Sequence, residues 1–209
     1  MCGIAAGSKL YNVYKNYESN LDRGCFSTGI LLLDQENKSY VLRQPGVISI
    51  DQIKSYIKDN NLNIRYILMH SRAPTNTGEQ IFNAKNNHPF SFVNYSVAHN
   101  GIITNFSSFD ESKSCTVDSN IIPIHLHHGL SIADVYSKYE GLLTSWIYKS
   151  DTNEIFFVKA GSTLFYYKDY FSSTEFKDSI PVEDGEIYIL KGKKFKLYQK
   201  FNYTNPFYV

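Results

Sequence analysis

The 209-residue sequence lacks any apolar stretch long enough to cross a membrane, since its longest apolar run, residues 30–33, stops at Asp34. It also lacks a basic, apolar leader at its start, so we expect neither a membrane partner nor export. Cysteine is scarce. The three cysteines are odd in number and widely spaced, which is a poor disulfide framework and is typical of a reducing cytoplasm. We therefore predict a cytoplasmic location.

A surplus of charge is missing as well. Lysine and arginine number 21 against 20 aspartates and glutamates, a net charge of +1. A chain without a broad positive field is not expected to bind nucleic acid. Apolar residues make up 43% of the chain and charged residues 20%, which argues against disorder. The length suits one domain, so we predict a single domain over residues 1–209.

Short apolar segments bounded by turn residues predict more strands than helices. Ser49 and Gln52 form a capping-box pattern at the start of one helix. Because the helices fall in the first two-thirds, we predict an α+β domain with mostly antiparallel sheets. Strands are predicted at 3–7, 29–33, 40–43, 65–70, 91–99 (ending at Asn100-Gly101), 142–148, 154–159, 163–167, 186–190 and 194–199, and helices at 11–21, 50–57, 118–128 and 132–139.

Cys2 is the first candidate for chemistry. If Met1 is removed, which a small side chain at position 2 allows, Cys2 carries both a thiol and a free α-amine. The thiol titrates near about 8.5 and the amine near roughly 7.7–8.0. The amine can therefore accept the thiol proton near neutral pH, and one residue can supply nucleophile and general base. Taken alone, a cysteine at position 2 is also compatible with no function.

Several motifs follow Cys2 in a fixed order, and together they resemble the class II glutamine amidotransferases, which are N-terminal-nucleophile hydrolases. The resemblance covers residues 1 to about 128 and continues more loosely to about 167. The motifs are Met1-Cys2-Gly3-Ile4, Arg23-Gly24-Cys25-Phe26-Ser27-Thr28-Gly29, His70-Ser71-Arg72-Ala73-Pro74-Thr75, Asn87-His88-Pro89-Phe90, Ala98-His99-Asn100-Gly101-Ile102-Ile103-Thr104-Asn105 and Val117-Asp118-Ser119.

The resemblance implies a four-layer αββα sandwich, with two antiparallel sheets between helices. It implies that Cys2 attacks the side-chain amide of glutamine and forms a thioester, releasing ammonia and then glutamate, without a metal or organic cofactor. Family members usually pass the ammonia to a synthase domain. Because only about 40 residues follow the matching region, too few for a second domain, we expect the synthase on a separate chain.

Asn100 and Gly101 match the oxyanion hole of the family. The Asn100 side-chain amide and the Gly101 backbone N–H can donate to the oxyanion that amide hydrolysis creates. In isolation, an Asn-Gly pair is more typical of a tight hairpin turn.

Four more residues match substrate-binding positions. Arg72 matches the arginine that binds the glutamine α-carboxylate, a task for which a planar guanidinium is suited. Asp118 matches the partner of the α-ammonium, and its side chain could also cap the following helix. The resemblance places Thr75 near the α-carboxylate and Arg23 near the nucleophile, where it orders the site.

The sequence departs from the family in the flap, where Arg-Trp-Ala-Thr-His-Gly is replaced by Arg72-Ala73-Pro74-Thr75-Asn76-Thr77-Gly78. Two alternatives therefore stay open: an amidohydrolase of the same superfamily that acts on another amide, and an inactive subunit that regulates a synthase. A metal site is a weaker possibility, because the cluster His125, His127 and His128 spreads around a predicted helix and has no companion ligand pattern.

Overall fold

The computed structural model describes residues 1–73 and 86–205. Strand residues outnumber helical residues in this part of the chain. The strands are β1 Gly3–Gly7, β2 Ser27–Asp34, β3 Ser39–Pro45, β4 Ile64–Arg72, β5 Phe90–Phe92, β6 Tyr95–Ile103, β7 Gly141–Lys149, β8 Glu154–Lys159, β9 Phe165–Tyr167, β10 Tyr170–Ser172, β11 Ile180–Pro181, β12 Glu186–Lys191 and β13 Lys194–Lys200. The α-helices are α1 Leu10–Glu18, α2 Ile50–Asp59, α3 Ile121–His127 and α4 Ile132–Ser137.

These strands form two antiparallel sheets. The seven-stranded sheet has the order β11-β9-β10-β1-β4-β2-β3, and the six-stranded sheet has the order β13-β12-β8-β7-β6-β5. In this strand order β1 lies inside the seven-stranded sheet, and β6, which carries Asn100 and Gly101, lies in the six-stranded sheet. Three short 3₁₀ helices lead from β6 to α3, and they are Phe106–Ser108, Asp110–Ser114 and Asp118–Asn120.

Three apolar layers hold the fold together. Val13 of α1 and Ile53 of α2 pack on the outer face of the seven-stranded sheet. Ile121 of α3 and Val135 of α4 pack on the outer face of the six-stranded sheet. Between the sheets lies a third cluster, in which Ile4, Leu31, Trp146, Phe157 and Phe171 are among the members. The architecture is the four-layer αββα sandwich that the sequence predicted.

The apolar run at 30–33 follows from this layering. In β2, Ile30 and Leu32 face the helices, while Leu31 and Leu33 face the other sheet, and all four are fully buried. A strand covered on both faces reads as a continuous apolar run, since neither face contacts water. Full burial of each side chain contributes about 1.5–3 kcal/mol.

Most predicted elements are confirmed within a few residues. The predicted helix at 11–21 is α1, which ends at Glu18, and the helix at 118–128 begins with a 3₁₀ turn. Ser49 caps α2, with the Ser49 hydroxyl accepting from the Gln52 N–H and the Gln52 side chain accepting from the Ser49 N–H. The short strands β10 and β11 were not predicted.

The prediction for 91–101 is wrong in two respects. The region is a hairpin of β5 and β6, which turns near Val93 at a φ of 49°. The strand does not end at Asn100-Gly101, because β6 continues to Ile103 in register with β7. Asn100 pairs with Thr144 and Gly101 with Leu143, which excludes a tight turn at the Asn-Gly pair.

The predicted strand at 65–70 is β4, which continues through Ser71 and Arg72. None of the helices within residues 1–73 and 86–205 has the length and apolarity needed to cross a membrane.

Candidate active site

Cys2 stands immediately before β1 and is buried. The Ala73 N–H donates to its Sγ at 3.4 Å, and the thiol lies 3.7 Å from the Ala73 carbonyl oxygen. Burial raises the pKa of the Cys2 thiol above its ordinary value, and the hydrogen bond from Ala73 offsets only part of this effect. The thiol is therefore protonated at neutral pH, and a base has to take its proton before Sγ can act as a nucleophile.

Arg23 holds the backbone of Cys2 in place. Its Nε donates to the Cys2 carbonyl at 3.0 Å, while its two terminal nitrogens donate to the hydroxyls of Thr163 and Ser162 at 3.0 and 3.2 Å. The Met1 amine donates to the Arg23 carbonyl at 2.9 Å. Arg23 is half-buried between two segments that are distant in sequence, so it is not a free surface arginine.

The backbone at position 101 allows only glycine. Its φ is +135°, a left-handed conformation that residues with a Cβ rarely adopt. A Cβ at this position would also collide with the Leu142 carbonyl. The backbone of β6 can therefore approach β7 and Cys2 closely at this residue.

The Asn100 side chain points between the sheets. Its Nδ2 donates to the Ser173 hydroxyl at 2.8 Å, and the same hydroxyl accepts from the Ile4 N–H at 3.0 Å. Ser173 thus connects Asn100 to the strand that starts at Cys2. A carboxamide carries two N–H donors, so this contact leaves one N–H of Asn100 for another acceptor.

A polar cavity of about 40 Å³ brings four of the seven predicted site residues together, whereas Asn100 and Arg23 are not among its lining residues. Cys2, Arg72, Gly101 and Asp118 all line it. They reach it from the start of β1, the end of β4, β6 and the turn before α3, which are far apart in the sequence.

Hydrogen bonds to neighbouring residues hold Arg72 and Asp118 in place. One terminal nitrogen of Arg72 donates to the Asn86 carbonyl at 2.9 Å and to the Asn87 side-chain oxygen at 3.3 Å. The Asp118 carboxylate accepts from the Ile103 N–H at 2.7 Å and from its neighbour's N–H at 2.9 Å. Asp118 thus ties the turn to β6. No side-chain capping bond of Asp118 to α3 is present in the described chain, unlike the alternative raised from sequence.

A second cavity of about 170 Å³ is also lined by Cys2. It shares Cys2, Ala73 and Gly101 with the polar cavity. Its remaining lining is largely apolar and consists of Met1, Ile102, Leu142 and Ser162. The thiol therefore lies between a polar and a largely apolar cavity.

Two sequence predictions for the site remain, one for Thr75 and one for a metal at the histidine cluster. Thr75 lies outside the described residues, as does the rest of the altered flap beyond Ala73. His125 is buried and bonds to Tyr139 at 2.9 Å and Glu111 at 3.2 Å. No group of three or more His, Cys, Asp or Glu that could hold a metal ion occurs in residues 1–73 and 86–205.

Sequence reasoning missed the supporting residues. No sequence pattern distinguishes Ser173 from the other hydroxyl residues of its polar stretch. The sequence indicates His99 only as part of a motif, yet its ring bonds to the Leu142 carbonyl at 2.8 Å and to the Ser119 hydroxyl at 3.0 Å. It thereby connects β6, β7 and the turn that carries Asp118.

Comparison with solved structures identifies the fold. The chain is similar to glutamine phosphoribosylpyrophosphate amidotransferase from B. subtilis, with a TM-score of 0.71, 16% identity, and coverage of 97% of this chain and 49% of the other. The structure of an allosteric regulatory enzyme of purine biosynthesis gives a TM-score of 0.71 at 17% identity, over 98% and 50% of the two chains. This chain thus spans about half the length of both.

A glutamine aminotransferase class-II domain protein from Silicibacter pomeroyi is similar over nearly its whole length. The TM-score is 0.58 at 12% identity, with 96% of this chain and 99% of the other covered. No family model and no curated protein matches the sequence. The fold is that of the class II glutamine amidotransferases, an N-terminal-nucleophile hydrolase fold, and the predicted resemblance is confirmed at this level.

Two buried histidines beside the site make stability sensitive to acid. Burial lowers the pKa of His70 from 6.5 to about 3 and that of His88 well below 6.5. The unfolded chain binds these protons below about pH 6.5, whereas the folded chain does not. The free energy of unfolding should therefore fall as pH drops below 6.5, by up to about 1.4 kcal/mol per pH unit for each histidine.

Urea unfolding at pH 7.5, 6.5, 5.5 and 4.5 measures this slope. The carboxylates whose pKa is lowered, such as Glu111 and Glu186, stay ionised over most of that range. A free energy that stays constant from pH 6.5 to 4.5 would contradict the prediction.

Proposed function

We propose that the protein hydrolyses the side-chain amide of glutamine to glutamate and ammonia, with Cys2 as the nucleophile and residues 1–209 as one glutaminase domain. The single observation that carries the proposal is the cavity shared by Cys2, Arg72, Asp118 and Gly101. It combines a thiol with one cation and one anion, the charges that match the α-carboxylate and α-ammonium of a free amino acid.

The reaction begins with a proton transfer. Once Met1 is removed, the α-amine of Cys2 accepts the thiol proton, and Sγ attacks the amide carbon of glutamine. The carbonyl oxygen becomes an oxyanion, which the free N–H of Asn100 and the backbone N–H of Gly101 stabilise. Arg23 fixes the Cys2 carbonyl at 3.0 Å and so limits movement of the attacking residue.

Collapse of this intermediate breaks the carbon–nitrogen bond. The Cys2 ammonium returns its proton to the leaving nitrogen, which departs as ammonia and leaves a glutamyl thioester. A water that gives its proton to the amine attacks the thioester, a second oxyanion forms in the same hole, and glutamate leaves with the thiol restored. The α-amine of Cys2 accepts and returns the protons in both half-reactions, so no metal or organic cofactor is required.

The cavities support a direction for the ammonia. Arg72 and Asp118 line only the polar cavity, whereas Met1, Ile102 and Leu142 line the other. Removal of Met1 would enlarge the second cavity and place the amine at its wall. The ammonia that forms when that amine protonates the leaving nitrogen then departs through the largely apolar cavity, away from the bound head group.

Replacement of the nucleophile tests the proposal. We expect Cys2→Ala to abolish glutamate release from glutamine and to leave the thermal unfolding temperature close to that of the wild type, because only Sγ is lost. Cys25→Ala is the matched control, since Cys25 is exposed and lines neither cavity. Mass spectrometry of the purified protein should show that Met1 is absent.

Undiminished ammonia production by Cys2→Ala would end the proposal. Hydrolysis rates should also be compared over a panel of acylated amines. If one of them is hydrolysed faster than glutamine, the related amidohydrolase is favoured instead. A Met-free protein that takes up no glutamine-derived diazoketone at Cys2 would favour the inactive regulatory subunit.

A second variant tests the oxyanion hole. We expect Asn100→Ala to lower kcat by about 10²–10³-fold, since it deletes one of two donors to the oxyanion. KM should change little, because the oxyanion exists only after substrate has bound. The exposed Asn12 on α1 provides the control Asn12→Ala, which should keep the wild-type kcat. A kcat within threefold of wild type in a folded Asn100→Ala protein would contradict the assignment.

We further infer that a synthase on a separate chain accepts the ammonia, because free hydrolysis would waste glutamine. The protein purified from its own cells should transfer ¹⁵N from amide-labelled glutamine to the product of a co-purifying enzyme, and Cys2→Ala protein should not. Label found only in free ammonia would contradict a coupled acceptor.

A further inference from the structure

His88 is buried beside the proposed substrate site and has no hydrogen-bond partner. Its residue surface is 7% exposed, and neither ring nitrogen contacts a donor or acceptor within the described chain. His88 nevertheless lines the polar cavity together with Cys2, Arg72 and Asp118. A buried polar atom without a partner costs about 1–3 kcal/mol, so a ligand that provides the partner would recover this cost.

The ring of His88 is held in one place. It packs on the His70 ring at 4.0 Å between centroids and meets Phe90 edge-on at 4.7 Å. Its backbone lies directly over Gly29 of β2, where a Cβ would collide with the His88 carbonyl. A ring packed against two aromatic neighbours presents its nitrogens in a constant direction, as a binding group requires.

The surroundings of His88 favour an anion. Arg72 bonds to the two residues before His88, and the Arg43 guanidinium donates to the carbonyl of Pro89, the residue after it. The charges of both arginines add to the effect of burial, which lowers the pKa of His88 and keeps its ring neutral. A neutral imidazole has one N–H to donate, and two neighbouring cations exclude an ammonium.

We propose that the His88 ring donates a hydrogen bond to the α-carboxylate of bound glutamine, beside the Arg72 guanidinium, and so selects for a free amino acid. The inference rests on the proposed function and adds a specificity residue to it. The Asp118 carboxylate remains the partner of the positively charged α-ammonium.

Three substrates separate the two ends of the head group. Glutamine has both charges, 4-aminobutanamide lacks the carboxylate, and 4-carbamoylbutanoate lacks the amine. In His88→Phe, we expect KM for glutamine to rise about tenfold or more, since a hydrogen bond to a charged group is lost, with kcat within threefold. The preference for glutamine over 4-aminobutanamide should fall by the same factor, and the preference over 4-carbamoylbutanoate should not change.

Two further variants separate binding from packing. His88→Gln retains an N–H donor and should recover most of the wild-type KM. His125→Phe removes a buried imidazole that lines neither cavity and should leave every substrate preference unchanged. The unfolding temperature of His88→Phe should equal or exceed that of wild type, because the variant removes two unpartnered nitrogens.

An active His88→Phe enzyme with wild-type KM and preferences would overturn this inference and leave the proposed function intact. If His88→Phe does not fold, His88→Leu provides the same measurement. Wild-type protein that releases no glutamate overturns both.

Discussion

The face-to-face contact of the two sheets is the constraint on which the rest depends. Its apolar layer, with Leu31 and Trp146 among its members, positions β1 of one sheet against β6 of the other. At one end of this layer polar groups replace apolar ones, and the Ser173 hydroxyl bonds both to the Ile4 N–H and to Asn100. The proposed nucleophile at the start of one strand and the proposed oxyanion donors on another are thereby brought near each other without being neighbours in sequence.

Burial of the thiol has a chemical consequence. The same packing that orients Cys2 raises the pKa of its thiol, so the thiol is neutral at neutral pH. Arg72 acts to lower this pKa and Asp118 to raise it, and their opposed influences leave burial dominant. The proposed reaction therefore needs a base close to the thiol, and the α-amine of the same residue is a base that needs no additional side chain.

The histidines near the site show a conflict between stability and binding. His70 donates from Nε2 to the His99 carbonyl at 3.2 Å, so its burial is partly compensated. His88 has no such partner in the described chain, and the charges of two arginines, Arg72 and Arg43, act on it. A residue that costs stability in the free protein is typical of a group whose partner arrives with the substrate.

The sequence by itself determined the candidate nucleophile, the capping box of α2 and most strands, because these are local patterns of side-chain type and spacing, whereas the candidate oxyanion donors came from the ordered motifs of the family resemblance. Tertiary structure alone decided that Asn100-Gly101 lies within β6 and not in a turn, since pairing with β7 overrides the local turn preference. It also decided that Ser173, His88 and His99 lie beside the candidate site. Hydrogen bonds and burial that join distant segments leave no periodic trace in a chain, so only the packed sheets reveal them.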